Sequence, residues 1–256
     1  MTTYQNRWLH KFELKKNNWV YVPSSEARDQ GSAFLKDLLL KWTPPIYYYH
    51  LRNGGHISAL QVHLNSKYFA HIDLKHFFNS TGRSRITRVL REFYPFEQAR
   101  EIARFSTVKN LVSLCPSHVI PYGFVQSPMI ATICLDKSLL GKTIRKLFNR
   151  KDIKISVYMD DIIISSLSLD IVESVYSQLL RCIKKSHYLI NEDKSQPPAK
   201  NIVVFNINLS RNNIKITETR VIELLINYVT TKSVHVKEGI KSYVKKINID
   251  QVDIFK

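Results

Sequence analysis

In Tyr158-Met159-Asp160-Asp161 the two adjacent acids stand between two apolar runs, residues 153–159 and 162–164. Two like charges at the end of such a segment repel each other and lower sheet stability. A divalent metal would offset that cost. Successive strand residues face opposite sides, so Asp160 and Asp161 diverge unless a tight turn falls between them. A hairpin whose turn contains the pair presents at least one carboxylate to a metal site, whereas an acidic surface hairpin tip is the ordinary alternative.

A second acidic position upstream adds weight to the metal reading. In Phe69-Ala70-His71-Ile72-Asp73-Leu74-Lys75-His76-Phe77-Phe78, an apolar run leads into one Asp, and two Phe follow at the fourth and fifth positions after it. A carboxylate at the end of a buried strand is costly to desolvate unless paired or bound to a cation. Asp73, Asp160 and Asp161 together supply oxygen ligands for two Mg²⁺ ions, a pair that sits roughly 3.5–4 Å apart in phosphoryl transfer. Carboxylates, phosphates and waters suit Mg²⁺ without histidine or thiol.

Asp73 with Phe77-Phe78, then Pro121-Tyr122-Gly123-Phe124-Val125-Gln126-Ser127-Pro128, then Tyr158-Met159-Asp160-Asp161 follow the order seen in reverse transcriptases. Leu189-Ile190-Asn191-Glu192-Asp193-Lys194-Ser195 resembles that family's segment with a lysine behind the triphosphate. The resemblance covers about residues 60–210. In style it is similar to bacterial retron and defence-associated reverse transcriptases rather than retroviral ones. No RNase H, integrase or protease segment is expected to follow.

The resemblance implies an α+β right-hand polymerase with a ferredoxin-like βαββαβ palm, fingers and a short helical thumb. The expected division is an N-terminal extension with part of the fingers (1–66), a fingers/palm core (67–210) and a thumb-like region (211–256). The implied activity is RNA-directed DNA synthesis, in which a primer 3′-hydroxyl attacks a dNTP in two-metal phosphoryl transfer. Asp73 and Asp160 are implied as direct ligands, Asp161 as an accessory one, with two Mg²⁺ as cofactor and Mn²⁺ as a substitute. Phe78 is the implied aromatic gate against a ribose 2′-hydroxyl, or else a core ring. Lys194 faces the triphosphate, and Tyr122 and Gly123 approach the nucleotide. Ser127 lies at the template turn and Tyr158 beside the primer end.

The partners that the resemblance implies are an RNA template, a noncoding RNA, together with dNTPs and the DNA product. An oligomer or a partner protein completes the expected clamp, in a role in antiphage defence. Three departures stand out. Tyr122 replaces a common Gln, Asn206 lies where a Gly is often found, and the basic finger motif before Asp73 is not recognisable. Untemplated or protein-primed synthesis, and a silent RNA-binding scaffold, are therefore the alternatives.

Lys and Arg number 38 against 21 Asp and Glu, a formal net charge of +17. That excess suits a polyanion, since phosphate neutralisation drives salt-dependent association. No basic amphipathic helix stands out for a membrane surface, and no uncharged run approaches ~18 residues. Cys115, Cys134 and Cys182 lack metal-finger spacing and read as small packed residues in a reducing, cytoplasmic setting.

The periodicity predicts helices over 32–42, 84–93, 96–107, 126–147, 170–187, 217–228 and 235–247. Strands are expected over 47–52, 67–74, 153–157 and 162–166, with a β pair formed by 201–209 and 214–216. Asn53-Gly54-Gly55 reads as a hairpin turn, or as a loop whose amides, with Arg52, meet phosphate. Arg83 and Arg85, with Arg88 and Arg91, form either a nucleic-acid face or a solvated basic helix.

Overall fold

The computed structural model of the chain describes residues 7–15, 18–112 and 116–255. Its first half contains β1 (Trp8–Lys15), β2 (Asn18–Pro23), α1 (Ser25–Lys41), α2 (Gly55–Gln61), β3 (Tyr68–Lys75), α3 (Arg83–Leu90), α4 (Phe96–Phe105), β4 (Val108–Lys109) and β5 (His118–Val119). Then come α5 (Ser127–Asp136), α6 (Leu139–Phe148), β6 (Lys154–Tyr158), β7 (Asp161–Ser166), α7 (Leu169–Lys185), β8 (Leu189–Ile190) and β9 (Gln196–Ala199). The chain closes with β10 (Asn201–Val204), β11 (Ile207–Ser210), β12 (Asn213–Ile216), α8 (Glu218–Thr230) and α9 (Val234–Ile247).

Two compact units share these elements. One comprises Tyr47–Asp73, Ile144–Leu180 and Asn191–Lys256. In it β6, β7, β3 and β9 pair antiparallel in that spatial order. Helices separate β3 from β6 and β7 from β9, so the order is that of a ferredoxin-like βαββαβ sheet. Alternation along the strands sorts the side chains. Ala70, Ile72, Ile155, Val157, Ile162 and Ile164 share one face and are buried. Phe69, His71 and Asp73 share the other face with Asp161 and Ile163. A second sheet, β10-β11-β12, packs Ile202, Val204, Ile207 and Leu209 against Val221 and Leu224 of α8 and Val244 and Ile247 of α9, with Phe255 in the same cluster.

The other unit comprises Met1–Ile46, Leu74–Thr143 and Arg181–Ile190. Nearly all of α5 is buried, as its apolar sequence requires. β1 pairs antiparallel with β2, and β8 pairs with the last two residues of β3. The Tyr21 N–H donates to the Tyr122 carbonyl at 2.9 Å, fastening the hairpin to the segment before α5.

Several expected elements form differently. Residues 47–52 make a 3₁₀ turn, Tyr49–Leu51, rather than a strand. Tyr47, Tyr48 and Tyr49 are buried in succession, and Tyr47 packs on Phe148 at 5.1 Å. Asn53-Gly54-Gly55 leads into α2 instead of closing a hairpin. The single helix expected over 126–147 is two helices, because Ser138 interrupts it. Its hydroxyl donates to the Leu135 carbonyl and accepts from the Gly141 N–H, ending one helix and starting the next. The run 201–209 contains a two-residue turn, Phe205-Asn206, with φ of 58° and 59°, so three strands form where two were expected. α1 begins earlier, at a Ser24 cap whose side chain accepts from Ala27 N–H.

Cys134 and Cys182 are free and buried, while Cys115 lies outside the described residues. Among the described residues no helix is long and apolar enough to cross a membrane.

Candidate active site

The β6–β7 hairpin closes through a two-residue turn, since Tyr158 pairs with Asp161. Met159 takes the first turn position with φ 58°, a left-handed conformation uncommon for a residue with a side chain. Its N–H donates to His50 Nδ1 at 2.9 Å. Burial holds the His50 imidazole down to about 4, so the ring is neutral and Nδ1 is available as an acceptor. A strained turn held by a buried partner is a common feature of functional sites.

The turn places Asp160 beside a row formed by three strands. Tyr158 pairs with Asp161, and Asp161 pairs with Asp73 across β7 and β3. Opposed residues in a sheet point to the same face, so the Asp73 and Asp161 carboxylates share one side. Burial, then the neighbouring Asp161 charge and, more weakly, Asp73, push Asp160 up to about 7, while Lys194 pulls the other way. Three acids thus lie within electrostatic reach of one another.

Each of the other two acids has a polar partner. Asp161 Oδ1 accepts from His71 Nε2 at 2.6 Å. His71 is 3 % exposed, and its Nδ1 is buried without a partner. Asp73 Oδ2 lies 3.6 Å from Lys194 Nζ, a long contact to a side chain that is 67 % exposed. The main chain of Asp73 is held more firmly. Its N–H donates to Ser195 Oγ at 3.0 Å, and its carbonyl accepts from Asn191 N–H at 2.9 Å. Lys194 reaches the carboxylate because both sides of its loop are tied to β3. With the side chains so engaged, no group of three His, Cys, Asp or Glu stands in a metal-holding arrangement among the described residues. His71 engages only Oδ1 of Asp161 and Lys194 lies near only Oδ2 of Asp73, so each acid keeps a second oxygen for a metal ion.

Tyr158 belongs to an aromatic group with His50, His56 and Phe205, at centroid distances of 5.8, 6.1 and 5.3 Å. Phe205 enters this group from the left-handed turn between β10 and β11. Sequence reasoning missed His71, Ser195, His50 and Phe205. Only His71 carried a signal, lying two positions before Asp73 and so on the same strand face.

The remaining sequence candidates fall in the other unit. Phe78 is buried with its ring 4.7 Å from that of Tyr122. Gly123 has φ 102°, and a Cβ there would meet the Tyr21 carbonyl oxygen at 2.1 Å. Ser127 is buried and donates to the Pro121 carbonyl at 2.7 Å, holding the 121–127 turn closed. Arg83 Nε donates to Thr107 Oγ1 and Arg85 Nη2 to the Ser186 carbonyl.

Residues 14–209 match the family model described as reverse transcriptase (RNA-dependent DNA polymerase). The fold is similar to the foamy viral protease–reverse transcriptase in complex with dsDNA, with TM-score 0.51 and 16 % identity over 92 % of this chain and 42 % of that one. It is also similar to the foamy viral protease–reverse transcriptase dRH with ds DNA, with TM-score 0.50 and 17 % identity over 91 % and 34 %. Telomerase from Candida albicans with a fragment of telomeric RNA gives TM-score 0.45 and 12 % identity over 81 % and 39 %. The chain spans less than half the length of each of these proteins. No curated protein matches it by sequence. The family model takes in β3, the β6–β7 hairpin and the Lys194 loop together, and the chain belongs to the reverse transcriptase (RNA-dependent DNA polymerase) family.

Proposed function

We propose that this chain is an RNA-directed DNA polymerase that extends a primer 3′-hydroxyl with deoxynucleotides. The observation that carries the reading is the cross-strand pairing of Asp73 with Asp161, with Asp160 in the adjoining turn. Reverse transcriptases use divalent metal ions, and we assign Mg²⁺ here because every donor in the trio is a hard carboxylate oxygen. Asp73, Asp160 and Asp161 would hold two ions. When bound, these supply charge stabilisation to the attacking and leaving oxygens of phosphoryl transfer.

The protein's own residues orient the reactants. Lys194 approaches the phosphates and offers a proton to the leaving group. Tyr158 packs the primer end, with His50 fixing the turn beneath it. Phe78 excludes a ribose 2′-hydroxyl, Tyr122 and Gly123 border the nucleotide, and Ser127 keeps their turn in shape. Arg83 and Arg85 add positive charge for nucleic acid. Residues 211–256 act as a short thumb, which implies low processivity without RNA or a partner subunit.

The net charge of +17 supports a nucleic-acid partner. The compact set of motifs, resembling retron and defence-associated enzymes, supports a bacterial, cytoplasmic role in antiphage defence with a dedicated noncoding RNA. The test is incorporation of labelled dNTPs by the purified protein with its co-purifying RNA and Mg²⁺. Product from wild type and none from Asp160→Asn is the expected result. No product from wild type, or equal product from both, overturns the reading, and sequencing the bound nucleic acid identifies the template.

A further inference from the structure

α8 is apolar on two sides. Val221 and Leu224 are buried on one, and Leu225 and Tyr228 pack on the same core. The other side carries Ile222, Ile226 and Val229, which are 57 %, 57 % and 68 % exposed. At 3.6 residues per turn these three lie within about 60° of one another around the helix axis. Single exposed apolar side chains are ordinary on a protein surface. A continuous stripe beyond the face that already holds the helix to its sheet is different, because a wider apolar arc needs more cover. We propose that this stripe is a self-association surface, on which a second copy of the chain lays its own α8 antiparallel.

Charge argues against a nucleic-acid occupant. The chain has a formal net charge of +17. Within α8, however, Glu218 and Glu223 stand against the single cation Arg220, a local balance of −1. Arg220 is also engaged, with Nη1 2.6 Å from Glu223 Oε2. A phosphate backbone finds little here to neutralise it.

The same charges fit a second copy. Both acids stand in the first half of α8, with Glu218 in its first turn. The segment that follows carries an exposed Lys232 and no acid before Glu238. Ends of opposite sign around an apolar middle complement themselves only when the two copies run antiparallel about a two-fold axis. A parallel pair would set Glu218 beside Glu218 and Lys232 beside Lys232. An axis passing between Leu225 and Ile226 sets Ile222 of each copy opposite Val229 of the other and brings the two Ile226 side chains together. Glu218 then lies across from Ser233, within reach of the neighbouring Lys232, and the symmetry forms this pair twice. Ile222, Ile226 and Val229 are all β-branched, so packing costs them little rotamer freedom. With residues 211–256 acting as a short thumb, the second copy supplies the partner subunit that such a thumb needs.

Sedimentation equilibrium of the nuclease-treated protein tests this without any nucleotide, so the outcome is independent of polymerase activity. A seam one helix long, about 20 Å, is small beside the ~800 Å² per partner of a standard interface. A weak, reversible dimer is therefore expected, with Kd on the order of 10 µM. Ile226 lies outside the buried core, so Ile226→Glu keeps the fold, and it should weaken the dimer roughly tenfold or more. Leu40→Glu, at an exposed apolar residue of the other unit, should leave it unchanged. Glu218→Lys and Lys232→Glu each place like charges together twice and should each weaken association about fivefold, while the double swap restores it. A monomer at every concentration assigns the stripe to another occupant and overturns the proposal. A dimer insensitive to Ile226→Glu, or a double swap no tighter than the single ones, also overturns it.

Discussion

Asp161 and His71 face each other across two neighbouring strands, with the imidazole Nε2 donating to the carboxylate at 2.6 Å. His71 lies two residues before Asp73 on the same strand face, so one strand carries both an acid of the trio and the partner that aims another.

That relationship predicts the effect of removing the imidazole. His71→Phe keeps the bulk but loses the hydrogen bond, and should lower nucleotide incorporation by about 10–100-fold, the range for groups that orient metal ligands. A Mg²⁺ titration checks it, since the half-saturating concentration should rise. An unchanged titration curve would reduce His71 to a packing role.

Asp160 crowds two other acids in a half-buried turn. Asp160→Asn relieves that repulsion, so the variant should be inactive yet more stable than wild type in EDTA. A rise in Tm of roughly 2–4 °C corresponds to about 1 kcal/mol for a domain of this size. Thermal unfolding in EDTA measures it, and a lower Tm for the variant would contradict the crowding argument.

Acid should destabilise the protein through two histidines, buried His63 and half-buried His50. His63 lies between Ser165 and Ser156, at 2.7 and 2.8 Å, and burial holds it down to about 3, while burial holds His50 at about 4. Both folded values lie below the unfolded one, so the unfolded chain gains protons first as pH falls. The contribution is intact above pH ~6.5 and declines below it by about 1.4 kcal/mol per pH unit for each histidine. Urea midpoints at pH 7 and pH 5 test this, with His63→Gln flattening the difference.

Gly123→Ala should destabilise by about 2–4 kcal/mol, combining a left-handed backbone with a main-chain clash. Gly239, inside α9 with nothing within 4 Å of an added Cβ, provides the contrast. Gly239→Ala should stabilise by about 0.5–1 kcal/mol. Denaturant midpoints of the two variants should move in opposite directions.

The parts of the fold that were legible in the sequence are those where local pattern and tertiary environment agree. Apolar runs on both sides of the acidic pair mark the hairpin, and the ferredoxin-like order follows from the motif sequence. Tyr47-Tyr48-Tyr49 misleads because β-propensity reports a half-buried surface, whereas these rings are buried in succession. Phe205 hides a turn because a bulky residue rarely adopts φ 58°. In the candidate site, the three acids could be picked out because unpaired carboxylates after apolar strands need a partner. Ser195 and Asn191 could not, since their role is to hold the Asp73 main chain, and only folding brings them there.

β3 crosses from one compact unit to the other between Asp73 and Leu74, and each unit is assembled from three separate stretches of chain. During synthesis on a ribosome, neither unit can close in order of emergence. The unit that holds α3 waits for Ile190, and the unit that holds the carboxylates waits for Phe255, which is buried in its core. Nascent chains should therefore leave the acidic trio without its full support until the segment through Phe255 has emerged.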